Sequence, residues 1–168
     1  MQKAYKIGGI LLLLVLVTTG CGQSAAEKIM ENNLEDAMGG QASVDMEDGS
    51  LKVETVDGVS LEVGEDVSIP ADFPEDIYVV EGEVVSVMKN VVGAGTSLAI
   101  TTDKTIAETK TLYEEKLVEE GWTITANMAL GEAQMFVANK DNEDLNISIS
   151  IDEDGEKTMV VLSVMQIE

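Results

Sequence analysis

The chain has no histidine and no arginine, a single cysteine, two prolines and one tryptophan. Each absence removes a class of chemistry. Without histidine, Ser-His-Asp and Cys-His nucleophile systems cannot be assembled, and acid–base catalysis loses the side chain that titrates nearest neutrality. Zinc sites built from histidine and cysteine are excluded by the same composition. One cysteine cannot close an internal disulfide, so the fold must stand on packing. Aromatic residues make up only 4% of the chain, poor material for the stacking platforms of a sugar site. That counts against paired carboxylates acting as a glycosidase, the form an unrecognised carboxylate-based hydrolase would take.

Positive charge is also scarce, with 10 Lys against 32 Asp plus Glu and a net charge of −22. Such a surface repels nucleic acid phosphates and anionic headgroups, since both are bound through clustered Lys or Arg. Nucleic acid is therefore excluded as a partner. The acidity is left with three uses: solubility and spacing from an anionic membrane, adaptation to a salty medium, and capture of cations.

At the start of the chain, Lys3 and Lys6 precede an uncharged, largely aliphatic run from Ile7 to Val17. The run is shorter than the ~20 residues of a spanning helix and reads as an export signal. Thr18, Thr19 and Gly20 then lead to Cys21. This arrangement resembles the lipobox of bacterial lipoproteins, with Thr18 where Leu or a similar apolar residue is usual. The resemblance implies that residues 1–20 are removed and that Cys21 receives a diacylglyceryl group. Two acyl chains anchor stably where one does not. The expected location is therefore the extracytoplasmic face of the cell membrane, with the membrane itself as a partner through the lipid anchor.

Beyond Cys21 the pattern divides into four. Residues 21–40 form the anchored N-terminus and a short helix or spacer, with Ala26, Met30, Leu34, Ala37 and Met38 roughly on one side, stopped by Gly39 and Gly40. Residues 41–69 alternate with period two around Asp-Gly turns, which predicts a small β-meander. Residues 70–81 hold Pro70 and Pro74 and read as a connector pinned by Phe73 and Tyr78.

Residues 82–168 carry the clearest signals. Thr105 and Glu108 have capping-box spacing, Ile106, Thr109, Leu112, Tyr113 and Leu117 share a broad helical face, and Gly121 stops the helix. Strands are expected on either side, the last of them, Thr158 to Ile167, central because it is apolar on both faces. The predicted fold class is α+β: a two-layer sandwich, an antiparallel sheet with one main amphipathic helix packed across it, preceded by the short helix and the meander.

The segment Thr102–Trp122, with Tyr113, Leu117, Gly121 and Trp122, is similar to a module of uncharacterised bacterial and archaeal extracytoplasmic lipoproteins. "ADFPEDI" is similar to the connector in such proteins. The resemblance implies that Tyr113 and Trp122 are core anchors, and it supplies no catalytic residues.

A Ser-Lys pair, Lys157 with Ser148 or Ser150, is available but sits in no recognisable motif. Calcium accepts oxygen ligands, and two acidic turns offer them: Asp141 and Asp144 in one, Asp152, Asp154 and Glu156 in the other. A meander places these turns at opposite ends of one strand. Gly155 comes too early for an EF-hand loop, so solvated hairpin turns compete with weak calcium binding. The functional expectation is a non-catalytic binding or accessory lipoprotein of the cell envelope, with no cofactor and with an envelope protein as partner. A weak calcium binder is the alternative, and an unrecognised hydrolase is the second.

Overall fold

The computed structural model describes residues 28, 29, 32, 33, 36, 42–47, 50–91, 95–152 and 154–166. Lys28, Ile29, Asn32, Asn33 and Asp36 are helical and exposed. From Ala42 onward the elements are β1 (Ala42–Glu47), β2 (Ser50–Thr55), β3 (Ser60–Gly64), β4 (Glu83–Val91), β5 (Gly95–Thr102), α1 (Ile106–Glu119), β6 (Thr123–Leu130), β7 (Ala133–Lys140), β8 (Glu143–Ile151) and β9 (Thr158–Gln166).

All nine strands join one sheet in the order β1-β2-β3-β4-β5-β9-β8-β7-β6, and every pairing is antiparallel. Two meanders, β1–β5 and β6–β9, are zipped together where β5 pairs with β9. This corrects the expected fold class. The chain is largely β, not a two-layer α+β sandwich built around a main helix. The 14-residue α1 packs mainly on β6, β7 and β8. The expected separate meander is instead continuous with the rest, because β3 pairs with β4 from Ser60↔Lys89 to Val63↔Ser86. Local alternation marks each strand, but pairing between β3 and β4 is a long-range hydrogen-bonding choice that local pattern does not encode.

The helix begins as its sequence requires. The Thr105 side chain accepts from the Glu108 N–H at 3.3 Å, and the Glu108 carboxylate accepts from the Thr105 N–H at 2.9 Å. Two backbone donors with no helical partner are thereby satisfied. The exit runs through Gly121 at φ +83, which a side chain would disfavour. Thr109, Tyr113 and Leu117, spaced four apart, form the buried stripe.

The connector lies beside α1 on the same side of the sheet. Phe73, Ile77 and Val80 are buried in the cluster that holds Leu98, Ile100, Phe136, Ile147, Val160 and Leu162. Tyr113 accepts a hydrogen bond from the Val80 N–H at 3.3 Å, and Tyr78 stands edge-on to Tyr113 with centroids 5.7 Å apart. Trp122 donates its indole N–H to the Asp76 carbonyl at 3.0 Å. Lys140 reaches both the Asp76 carboxylate at 2.5 Å and the Glu120 carbonyl at 2.7 Å, so one ammonium ties the connector to the end of α1. Entry into β4 is equally constrained: a Cβ on Gly82 would lie 2.1 Å from the Thr101 carbonyl oxygen.

Candidate functional site

Directly paired residues of an antiparallel sheet point to the same side, so the registers assign every strand residue to a face. One row on the helix side runs Asp45–Lys52–Glu62–Val87–Leu98–Leu162–Ile147–Phe136–Asn127. It is charged on β1 to β3 and apolar from β4 to β7, where α1 and the connector cover it. The adjacent row on the far side runs Met46–Leu51–Val63–Ser86–Ala99–Val161–Ser148–Met135–Met128. Its neighbour, also on the far side, runs Val44–Val53–Leu61–Met88–Ser97–Ser163–Asn146–Val137–Ala126.

Neither far row holds a single charge, in a chain whose net charge is −22. Both run across all nine strands. The β2, β3 and β4 segment is aliphatic and Met-lined, and the β6 and β7 segment is apolar again. Between them lies a strip of small polar groups in which Ser97 and Ser163 hydrogen-bond at 2.9 Å. Most of these side chains are half-exposed, and Val63 and Met128 reach 38% and 42% exposure. Every methionine among the described residues, Met46, Met88, Met128, Met135, Met159 and Met165, is on this side. Methionine is flexible and polarizable, and it suits an adaptable contact surface.

Bulges in β4 and β6 set this arrangement. The β4 register shifts between Val84 and Ser86 and again between Lys89 and Val91, and the β6 register shifts between Ile124 and Ala126. Each extra residue turns the rest of its strand over. Sequence reading missed the face for that reason. Uncharged alternate positions are visible in each strand, but nothing local shows that they line up.

The candidate residues read from the sequence fall elsewhere. Cys21 lies outside the described residues. Asp141 is exposed in the β7–β8 turn at φ +51, and Asp144 lies on β8 opposite Met165. The Asp152 carboxylate accepts from the Glu156 N–H at 3.0 Å, closing the β8–β9 turn, while Asp154 and Glu156 are exposed. The two turns sit at opposite ends of β8 and make no common site. Among the described residues no three His, Cys, Asp or Glu side chains come together to hold a metal ion. Ser148 is at the centre of the far face, and Lys157 is exposed in a turn. Tyr113 and Trp122 are 0% and 3% exposed and serve as core anchors.

A polar cleft of about 630 Å³ opens at the start of α1, lined by residues including Glu81, Thr101, Asp103, Lys104 and Glu108. Glu108 is engaged by Thr105, whose N–H and hydroxyl hold its carboxyl below the usual range. The capping box occupies the groups that would otherwise attract an anion there.

A family model described as START domain-like matches residues 84–155, from β4 to the turn after β8. No curated protein and no solved structure matches the chain. The similarity covers α1 and the strands beneath it but not β1, β2, β3 or β9.

Proposed function

We propose that the protein is a non-catalytic, lipid-anchored binding module on the extracytoplasmic side of the cell membrane, and that it binds an envelope component through the far face of its sheet. The observation that carries this reading is the pair of half-exposed, uncharged rows that crosses the far face between Glu83 near one end and Asp144 near the other. Large uncharged surface on an otherwise highly charged chain favours a contact surface over a solvated one. The Cys21 context supplies the anchor, and similarity to a START domain-like model is in keeping with a ligand-binding fold.

Two experiments test the two halves. Cys21→Ser should abolish incorporation of labelled palmitate and release the protein from membranes, and a variant that still incorporates label would sink the anchor. A photo-crosslinking residue placed at Val161 should give a defined adduct in cells. The same residue at Val118, exposed on α1, should give none. Equal labelling from both positions, or none from Val161, would remove the far face as the binding surface.

A further inference from the structure

We propose that the far face docks a cationic amphipathic protein segment, one with an apolar stripe flanked on both sides by Lys or Arg. The proposal rests on the reading of the far face as the binding surface and names the chemistry of its occupant.

The argument is charge complementarity. The uncharged rows run across the strands, so their two long borders are the strand ends. At one end stand Glu65, Glu132, Asp154 and Glu156, and at the other Asp57 and Asp141, all exposed. Exposed Lys157 stands in the same turn as Asp154 and Glu156 and leaves that margin net acidic, while Lys89 and Lys140 pair with Asp72 and Asp76 of the connector at 2.5 Å each. An uncharged band, apolar on β1 to β4 and again on β6 and β7 apart from Ser86, and crossed between them by Ser97, Ser163, Ser148 and Asn146 with Ala99 and Val161 among them, lies between acidic margins and is complementary to an apolar stripe between cationic margins. Opposed patches of this kind set both orientation and association rate.

The same charges disfavour the other occupants. An anionic bilayer surface would meet acidic margins and be repelled. A second copy packed face to face would bring acidic margin against acidic margin. The chain's own segment 24–38 carries Glu27, Glu31, Glu35 and Asp36 against Lys28, which is charge of the wrong sign.

The band is broad enough for a helix. Successive side chains on one face of a strand are about 7 Å apart. Two uncharged rows, with Met159 and Met165 beyond them on β9, therefore accommodate the ~10 Å diameter of a helix laid across the strands.

The test uses the intact lipidated protein in phosphatidylcholine nanodiscs, titrated with a helical peptide of Leu and Lys patterned to give one apolar stripe. Protein-free nanodiscs give the background. Two comparison peptides keep the pattern, one with Glu for Lys and one with Ser for Leu. The Leu/Lys peptide should bind best, weaken as salt rises, and shift the 13C-methyl signals of Met88 and Met135. Val161→Lys should weaken it by about tenfold or more, the size of one disrupted central contact. The more exposed Val63→Lys should act in the same direction, and Val118→Lys on α1 should leave binding unchanged.

Equal binding of the Ser/Lys or the Leu/Glu peptide would overturn the proposal, as would unshifted Met88 and Met135 methyls. The same methyl shifts produced by phosphatidylglycerol nanodiscs alone would assign the face to lipid, and a concentration-dependent dimer blocked by Val161→Lys would assign it to a second copy. Either result overturns the proposal. If the peptide fails while crosslinking from Val161 persists in cells, the binding module stands with a partner of different charge. If both fail, the binding face itself is wrong.

Discussion

Glu62 of β3 lies directly opposite Val87 of β4 on the helix side of the sheet, and the charged part of that row ends between them. Glu62 is half-buried with Lys52 as its other cross-strand neighbour, while Val87 is only 6% exposed and belongs to the main core. On the opposite side the neighbouring pair Leu61 and Met88 is apolar on both strands. The sheet therefore uses both of its faces for apolar side chains, covering one with α1 and the connector and leaving most of the other half-exposed, with Val44 of β1 buried.

Substitutions across this pair should be strongly asymmetric. Val87→Glu places an unpaired carboxylate in the core and should cost about 3 kcal/mol or more. Glu62→Val removes a half-buried carboxylate beside its cross-strand neighbour Lys52 and should change stability by less than about 1 kcal/mol. Urea unfolding of both variants checks this, and equal losses would show that the charged and apolar parts are not divided at β3–β4.

Alkaline pH should expose the role of Tyr113. Burial pushes its hydroxyl well above the ordinary value of 10.0, against the opposing effect of the Val80 N–H. The unfolded chain releases this proton first as pH rises. Its contribution is therefore fully present below pH 10 and is lost progressively above it. Tyr113→Phe should show a shallower loss of stability above pH 10 than the parent, despite a cost of about 1 kcal/mol at neutrality from the unpaired Val80 N–H. Melting midpoints of the two proteins across this range decide the matter.

Thr109 should be improvable. Its hydroxyl is fully buried under α1 and has no hydrogen-bond partner among the described residues. Thr109→Val replaces a desolvated polar group with a methyl of similar shape, so stability should stay level or rise by up to about 1 kcal/mol. A clear loss by thermal melting would reveal a partner for that hydroxyl.

The acidic turns should not distinguish calcium from magnesium. Asp152 is committed to the Glu156 N–H within its own turn, and the β7–β8 turn lies at the other end of β8. At matched ionic strength, melts of the intact protein with EDTA, calcium or magnesium should coincide. A midpoint raised by calcium alone would identify a site, because a ligand specific to the folded state raises it according to concentration over Kd.

Much of the local structure is legible in the residues. The capping pair Thr105 and Glu108, the Thr109–Tyr113–Leu117 stripe and the Gly121 exit specify α1, because each satisfies backbone groups or rotamer demands within a few residues. Leu145, Ile147 and Ile149 announce β8 by alternation alone, and all three are buried. Phe73 can be suspected as an anchor and is buried, although nothing near it in the chain shows that the connector it belongs to would lie beside Tyr113.

The sequence by itself determined which residues share a side within the strands that carry no bulge, where α1 starts and stops, and the lack of histidine and arginine that narrows the chemistry. Only the tertiary structure decided which strand sides align. Period-two alternation is a property of one strand, whereas a face is shared among strands whose register is set by hydrogen bonds to distant partners and by the bulges in β4 and β6. Leu61 and Leu98 are both apolar positions in alternating strands. Pairing with Met88 and Val87, which are adjacent in one strand, sends them to opposite sides of the sheet.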